Sequence, residues 1–331
     1  MKPHFIVFIL LLACQQTNHG QKNCLTEDEV YTKALQFTGW FYDYQADSLS
    51  KYIIDRNFSL QDLKNFRKKV DDQLGEEVEM LLERTYLVRV NDRIIHGYVR
   101  HSRFARTDRP VRTNFGFDCD YNIYIFEVLT LPQEAQSNHL DYQTKTRLRL
   151  PFEGEWYVAS GGRSIIQNHH TVAVDQRFAC DFLIKKESCT FTNNGARNED
   201  YFCFGEKVLA PGTGKIVEVR NDVTDNKVGE MPENPGNLLI IDHENGEYSV
   251  LAHFKQGTVV VKPGDRVKSG QFLGLCGNSG HSSEPHIHYH LQNSPYMFSG
   301  EGLPAQFISY EADGSYIELG EPVWGQRIQN R

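Results

Sequence analysis

The half of the sequence after about residue 150 consists almost entirely of short apolar runs separated by turn dipeptides. Stretches such as LAPGTGKIVEVRND, GNLLIIDHENGEYSVLAHF and VVVKPGDRVKSGQFLGLCGNSG alternate apolar residues with Pro-Gly, Asn-Gly and Ser-Gly pairs. Short runs bounded by such turns are typical of β-strands. The Asn245-Gly246 pair between two apolar runs predicts a β-hairpin. We therefore predict a mainly antiparallel β domain for this half of the chain.

The first half has a different pattern, in which helices precede strands. From about Thr26 the apolar residues recur at intervals of three and four, as in an amphipathic helix, and Ser59 and Asp62 have the spacing of a capping box. After Glu83 the sequence becomes alternating and β-rich. Helices followed by an antiparallel sheet predict a small α+β domain. This order of elements resembles the cone-shaped fold of the nuclear-transport-factor-2-like superfamily.

The N-terminal residues are typical of an export signal. Met1-Lys2 is followed by the apolar run FIVFILLLA, which is too short to span a bilayer but has the length of a signal-peptide core. The sequence LLAC, ending at Cys14, resembles the bacterial lipobox, which implies lipid attachment to Cys14. We therefore expect an exported lipoprotein that faces the periplasm or the cell exterior and is held to the membrane by an N-terminal lipid anchor. An ordinary secretory signal, cleaved after Cys14, is the alternative.

These patterns divide the chain into five predicted segments. They are a signal peptide (1–13), a polar tether (14–24), an α+β N-terminal domain (25–130), a polar linker (131–150) and the β domain (151–331).

Composition limits the classes of partner. The formal net charge is −8 and the isoelectric point is about 5.9. Because nucleic-acid binding needs a basic face, we expect no nucleic-acid partner. An exported protein can form disulfides, and Cys189 and Cys203, which flank a polar loop, are the pair we expect to be bridged.

The segment GHSSEPHIHYHLQ places histidines at positions 286, 288 and 290. Alternate residues of a strand project to one face, so all three should point the same way, while Tyr289 should point into the core on the opposite face. The pattern alone fits either a metal site or a polar sheet surface. His170, Asp181 and His253 lie elsewhere in the same predicted domain. Histidine and aspartate are ligands that catalytic zinc commonly uses, with one position left to water.

Several motifs of the second half, in order, are similar to those of the lysostaphin/LytM-type zinc metallopeptidases. They include the APGTGKIV turn, the GNLLIIDH strand, the YSVLAHF segment and GNSGHSSEPHIH, and the similarity covers about residues 160–300. Members of this family hydrolyse peptide bonds in peptidoglycan cross-links or stem peptides. The resemblance implies a family-type β fold, a Zn²⁺ cofactor and a peptidoglycan peptide as substrate.

By position in these motifs, the resemblance implies that His288 is a zinc ligand. His286 and His253 would be the catalytic pair that orients and deprotonates the attacking water and stabilises the tetrahedral oxyanion. His290 lies outside the signature, and a role in the groove wall or in supporting a ligand is favoured over contact with the metal.

The first family motif departs from its usual form. The family usually has histidine and aspartate four positions apart, whereas here Asp181 follows His170 by eleven positions in HHTVAVDQRFACDFLI. Asp181 precedes an apolar run typical of a strand, so Asp181 and His170 are the favoured ligands. His169 and Asp175 remain alternatives.

These expectations lead to three functional hypotheses. The first is an exported zinc-dependent endopeptidase that hydrolyses peptide bonds of peptidoglycan by a metal-activated water. The second is a catalytically inactive family member that binds or regulates other cell-wall hydrolases. The third is a peptidase of peptides outside the wall.

Overall fold

The computed structural model describes residues 25–55, 57–90 and 93–331 of the chain. The chain divides into two compact units, residues 1–132 and residues 133–331. The expected signal peptide, lipidated Cys14 and tether lie outside the described residues. Within the ranges that the structure describes, no helix is both long and apolar enough to cross a membrane.

In its described part, from residue 25 on, the first unit contains three α-helices followed by four strands. The helices are α1 (Glu27–Tyr42), α2 (Ala46–Leu49) and α3 (Leu60–Leu74), and the strands are β1 (Glu77–Val90), β2 (Arg93–Phe104), β3 (Val111–Phe117) and β4 (Ile123–Thr130). The strands form one antiparallel sheet in the order β1-β2-β3-β4.

Local sequence explains where the two long helices begin. Thr26 and Glu29 form a capping box at the start of α1, and the expected box of Ser59 and Asp62 starts α3. Each box satisfies backbone N–H groups that have no partner within the helix. The unit has its own core, in which Phe115 and Phe126 of the sheet stack at a centroid distance of 4.6 Å. The expected order of helices before an antiparallel sheet is thus observed, while the superfamily resemblance remains a prediction.

The second unit is mainly antiparallel β, as expected. Its strands are β5 (Trp156–Ser160), β6 (Cys180–Leu183), β7 (Lys207–Leu209), β8 (Gly214–Arg220), β9 (Leu238–Asp242), β10 (Tyr248–Ala252), β11 (Arg266–Val267), β12 (Phe272–Leu275), β13 (Ile287–Gln292), β14 (Gly302–Leu303), β15 (Phe307–Ala312), β16 (Ser315–Gly320) and β17 (Arg327–Asn330). The large sheet has the order β11-β8-β9-β10-β13-β6-β5-β17-β15-β16, with β14 paired to β13, and β7 pairs separately with β12.

The centre of the large sheet divides its residues between two faces. Leu238, Ala252, His288 and Asp181 are direct neighbours across β9, β10, β13 and β6, so their side chains share a face. Tyr289, the next residue of β13, points to the other face, where it is fully buried in the main core. The expected alternation along β13 is confirmed. The expected hairpin at Asn245-Gly246 also forms, with a loop of residues 243–247 between β9 and β10.

The segment expected to be a linker is part of the second unit. The carboxylate of Glu247, which is fully buried, accepts hydrogen bonds from the Tyr142 hydroxyl at 2.9 Å and from the backbone N–H groups of Lys145 and Thr146 at 2.6 and 2.8 Å. The polar groups of this segment form hydrogen bonds to the rest of the second unit. A segment that bonds to a folded unit and a linker exposed to solvent can have the same polar composition, so the sequence pattern does not distinguish them.

The expected disulfide between Cys189 and Cys203 is wrong. Both residues retain their thiols, and Cys203 Sγ lies 3.0 Å from the carbonyl oxygen of Pro285. The flanking residues Phe191 and Tyr201 close the loop instead, through an antiparallel bridge and through rings that are tilted by 54° with centroids 5.3 Å apart.

Candidate metal centre

The candidate site is built around the carboxylate of Asp181 on β6. Asp181 is 7% exposed and lies directly opposite His288 of β13 in the antiparallel register. The distance from Asp181 Oδ1 to His288 Nδ1 is 3.0 Å. Because opposed residues of paired strands project to the same face, sheet pairing alone brings these two side chains together.

His170 reaches the other oxygen of the same carboxylate. It lies in a short 3₁₀ helix, His169–Val172, and its Nε2 is 2.9 Å from Asp181 Oδ2. Asn168, which is buried, holds this helix in place: its Oδ1 accepts from the His170 N–H at 3.0 Å, and its Nδ2 donates to the carbonyls of Gly162 and Ala179 at 2.9 and 3.0 Å. Asn168 thereby fixes His170 beside Asp181 although eleven positions of sequence separate the two residues.

His169 also lies near the carboxylate, but less closely. Its Nε2 is 3.9 Å from Asp181 Oδ2, its side chain is 70% exposed, and its Nδ1 is 3.0 Å from the hydroxyl of Ser160. The side chain of His170 is only 13% exposed. Ligand atoms of His169, His170 and Asp181 lie within 4.8 Å of one another. The shorter contact and deeper burial favour His170 over His169 as the ligand.

The alternative carboxylate, Asp175, is not part of this cluster. Within the ranges that the structure describes, the group of neighbouring ligand atoms contains Asp181 and not Asp175. Asp175 lies in the loop between the 3₁₀ helix and β6, where its backbone packs against Gly302.

The two residues expected to form a catalytic pair face each other beside Asp181. The ring centroids of His253 and His286 are 4.7 Å apart, and His286 Nε2 is 3.7 Å from Asp181 Oδ1. Nδ1 of His253 is 2.8 Å from the carbonyl oxygen of Ser279, and Nδ1 of His286 is 2.8 Å from that of Glu284. A carbonyl oxygen only accepts, so each Nδ1 carries a hydrogen and Nε2 is the ring nitrogen that remains to face the cluster.

His253 occupies an unusual backbone conformation. Its φ angle is +68°, in the left-handed region that residues other than glycine rarely adopt. His253 follows the last residue of β10 and departs from the extended conformation just where its ring meets the cluster. Strained residues of this kind persist where the surrounding structure fixes them, and they are frequent at functional sites.

The turn that supplies the Ser279 carbonyl depends on two glycines. Gly280 has a φ of +79° and Gly236 a φ of +71°, and a Cβ on Gly280 would come within 2.2 Å of the Gly236 nitrogen. Only glycine allows two backbones to approach this closely. Gly280, the last residue of the GNSG segment, therefore fixes the position of the Ser279 carbonyl, and this carbonyl orients the ring of His253.

Burial keeps several of these histidines neutral. Burial, followed by the charges of neighbouring histidines, lowers the pKa of His253 well below its ordinary value. Burial also lowers the pKa of His288. For Asp181, burial acts to raise the pKa, but the charges of His170 and His286 and the hydrogen bonds of His170 and His288 outweigh it and hold the pKa well below the ordinary value. A divalent metal requires a charged carboxylate and neutral imidazoles as ligands, and the pKa shifts of Asp181 and His288 favour these states.

His290 lies behind His288 rather than in the centre of the cluster. It is 1% exposed, and its Nδ1 is 2.9 Å from His288 Nε2, the ring nitrogen of His288 that faces away from Asp181. Burial lowers the pKa of His290 well below its ordinary value. This geometry favours a role for His290 in supporting His288, rather than a place in the groove wall or contact with a metal ion.

The structure therefore brings together all five site residues expected from the sequence, which are His170, Asp181, His253, His286 and His288. Sequence reasoning assigned no role to Asn168 or to Gln292. The sequence did contain a signal for Asn168. An asparagine side chain often bonds to the backbone N–H two residues further on, and residue 170 is the histidine of this Asn-x-His segment.

The comparisons with known proteins concern mainly the second unit. Residues 197–298 match the model of Peptidase family M23, so the resemblance to lysostaphin/LytM-type peptidases is confirmed. The matched residues include His253, His286 and His288 but not His170 or Asp181.

Two curated relatives are similar over short segments. Peptidoglycan DD-endopeptidase ShyA of Vibrio cholerae serotype O1 is 33% identical over 87 residues, which are 26% of this chain and 17% of the relative. Glycyl-glycine endopeptidase ALE-1 of Staphylococcus capitis is 34% identical over 119 residues, which are 35% of this chain and 30% of the relative. The matched segment thus spans less than a third of either relative.

A solved structure of the catalytic domain of lysostaphin from Staphylococcus simulans is 21% identical in sequence. The match covers 46% of this chain and 89% of that one, with a TM-score of 0.28.

The neutral histidines predict a loss of stability on acidification of the metal-free protein. The unfolded chain binds protons near the ordinary histidine pKa of about 6.5, whereas buried His253, His288 and His290 stay neutral to lower pH. The unfolded state therefore binds more protons in this window. The unfolding free energy should fall by up to about 1.4 kcal/mol per pH unit for each such histidine as the pH drops below about 6.5.

Urea unfolding at pH 7.5 and 5.5, after treatment with a chelator, measures this effect. A Trp40→Phe background leaves tryptophans only in the second unit, at positions 156 and 324, so fluorescence reports that unit alone. An unchanged unfolding free energy between the two pH values would contradict the neutral assignment.

Proposed function

We propose that the protein is an exported, zinc-dependent endopeptidase that hydrolyses peptide bonds of peptidoglycan by means of a metal-activated water. The observation that carries the proposal is the surrounding of one buried carboxylate by four histidines. Nitrogens of His170, His288, His286 and His169 lie 2.9, 3.0, 3.7 and 3.9 Å from the oxygens of Asp181. Burying a carboxylate is costly unless it is paired or coordinates a metal.

The donor set fits zinc. Zinc binds imidazole nitrogen and carboxylate oxygen, and its catalytic sites commonly have three protein ligands and an open position. His170, Asp181 and His288 would hold the ion, and they come from three separate elements that meet at the centre of the sheet. When bound, zinc would act as a Lewis acid and lower the pKa of water to about 7.

His253 and His286 would perform the proton transfers. The Nδ1–H of each ring is used by a main-chain carbonyl, so each presents an Nε2 lone pair towards the cluster. His286 Nε2, the closer of the two to Asp181, would accept a proton from the attacking water. A protonated ring would then donate to the oxygen of the tetrahedral intermediate or to the leaving amine.

The relatives support the substrate class. The printed names of the two curated relatives describe a peptidoglycan DD-endopeptidase and a glycyl-glycine endopeptidase. Both names denote endopeptidases. We infer an endopeptidase of peptidoglycan peptides from these names together with the histidine and aspartate groups of the site.

The first prediction from this proposal concerns the ligands. His170→Ala, Asp181→Ala and His288→Ala should each lower zinc content from about one ion per chain to near zero, because each removes one of three ligands. His169→Ala is the matched control for His170→Ala and should retain zinc. Metal analysis after equilibrium dialysis measures the content. If His169→Ala lost zinc and His170→Ala retained it, His169 and not His170 would be the zinc ligand.

The second prediction separates catalysis from metal binding. His253→Ala and His286→Ala should retain zinc but lose about 10²–10⁴-fold in kcat, the usual contribution of a general acid or base. Digestion of defined muropeptides, with mass analysis of the products, measures the rate and identifies the bond cleaved.

Two results of that digestion would redirect the proposal. A zinc-loaded protein that cleaves no muropeptide but cleaves other peptides would favour a target outside the wall. A wild-type protein that binds no zinc and cleaves neither substrate would favour a binding or regulatory role.

The third prediction concerns export. Cys14 would carry a lipid that holds the protein to the membrane, since LLAC resembles a lipobox. Cys14→Ser should abolish labelling with radioactive palmitate and move the protein from the membrane fraction to the soluble fraction. Unchanged fractionation and labelling would instead favour an ordinary secretory signal.

A further inference from the structure

The loop that follows His170 buries little apolar surface of its own. Eleven positions separate His170 from Asp181, and Val172 and Val174 of this interval are 46% and 48% exposed. A segment with few buried apolar contacts opens at a low cost in free energy unless polar contacts hold it. The residues that supply such contacts therefore affect how His170 is presented to Asp181.

The peptide group that follows His170 is held through the carbonyl oxygen of Thr171. This oxygen accepts hydrogen bonds from the backbone N–H of Ala135 at 2.7 Å and from Nη1 of Arg177 at 3.2 Å. Thr171 is fully buried, and its hydroxyl donates to the carbonyl oxygen of Asn168 at 2.9 Å. The main chain therefore has fixed partners on both sides of His170.

Arg177 is in turn fixed by a carboxylate from the segment that the sequence predicted to be a linker. Arg177 is 6% exposed, and its Nη2 donates to Glu134 Oε2 at 3.1 Å. The other oxygen, Glu134 Oε1, accepts from the backbone N–H of Ile165 at 2.7 Å. A guanidinium can bond to Glu134 and to Thr171 at once because it presents several N–H groups in a planar fork. One carboxylate thus joins the chain before His170 to the arginine after it.

The location of these contacts connects them to the site. A buried guanidinium needs a partner in any fold, so the ion pair alone would be consistent with a role in stability. However, Ala135, which follows Glu134 in the chain, and Arg177 converge on one carbonyl oxygen, that of the residue directly after His170. The contacts are thus concentrated beside the proposed ligand.

We propose that Glu134 and Arg177 are positioning residues, which form a clamp on the loop after His170 and hold the ring of His170 beside Asp181, where it can bind a metal ion. The inference rests on the proposed zinc site. It gives residues 133–135 a part in metal binding, whereas their polar sequence predicted only a spacer. An ion pair with a role in stability alone would change the unfolding free energy and leave the zinc affinity of the folded protein unchanged.

Hydrogen exchange in the metal-free, full-length protein tests the clamp first. Arg177→Met keeps much of the apolar stem but removes both donors, so amide exchange across residues 165–177 should be faster than in the wild type. Glu134→Gln keeps an oxygen that can accept from Ile165 but removes the charge opposite Arg177, and it should give a smaller increase. Unchanged exchange across this segment in both variants would overturn the proposal.

Zinc affinity, measured by competition with a chelator, then tests the positioning role. Arg177→Met should lose about 10-fold, the lower end of the range for residues that orient metal ligands, and Glu134→Gln should lose less. The double variant should lose no more than Arg177→Met alone, because both residues act through one contact. The visible spectrum of the cobalt-substituted protein should change in the same variants. Faster exchange with unchanged zinc affinity would overturn the positioning role.

Tyr142→Phe is the matched control, since it removes a different side-chain bond that ties the same segment to the unit. The Tyr142 hydroxyl donates to Glu247, in the loop between β9 and β10. Exchange across residues 165–177 and zinc affinity should remain those of the wild type. An equal loss of zinc affinity in Tyr142→Phe and Arg177→Met would overturn the clamp. Absence of zinc binding by the wild-type protein would instead overturn the proposed function, and hydrogen exchange would still decide whether the clamp holds the loop.

Discussion

The contact between the Asp181 carboxylate and His288 is the interaction on which the rest of the candidate site depends. It joins β6 to β13 at the centre of the large sheet, and it defines the point that the other histidines must reach. A buried carboxylate without partners would destabilise the unit. The segments that carry His170 and His286 therefore contribute to folding, since the rings of these residues lie 2.9 and 3.7 Å from the oxygens of this charge.

Much of this arrangement could be predicted because it follows from strand geometry. The alternation of His286, His288 and His290 predicted a shared face. His288 and His290 lie on one face of β13, and His286, which directly precedes the strand, places its Nε2 3.7 Å from Asp181 Oδ1. The helix starts at Thr26 and Ser59 were readable because capping depends on local spacing. The position of His253 beside His286 was expected from the family motifs, whereas spacing alone would not have joined two residues 33 positions apart.

Other features could not be read locally because they depend on contacts between distant residues. The role of Asn168 follows from the carbonyls of Gly162 and Ala179 that its amide reaches, and no sequence pattern states where those carbonyls lie. The segment around Tyr142 has a polar composition that fits a linker, yet it bonds to Glu247 about 100 residues away. The disulfide predicted between Cys189 and Cys203 was wrong for the same reason. Two cysteines that flank a loop in the sequence need not have their sulfur atoms close together in the fold.

The mutual contacts of the proposed ligands have a consequence for the thermodynamics of metal capture. The rings of His170 and His288 are bonded to the two oxygens of Asp181 and are 13% and 6% exposed, so their rotamers are already selected in the folded chain. Little side-chain entropy would remain to be lost when an ion arrives. Ion affinity would then reflect ligand chemistry and the shape of a rigid cavity, and ions that require a different coordination geometry would gain little from rearrangement of these side chains.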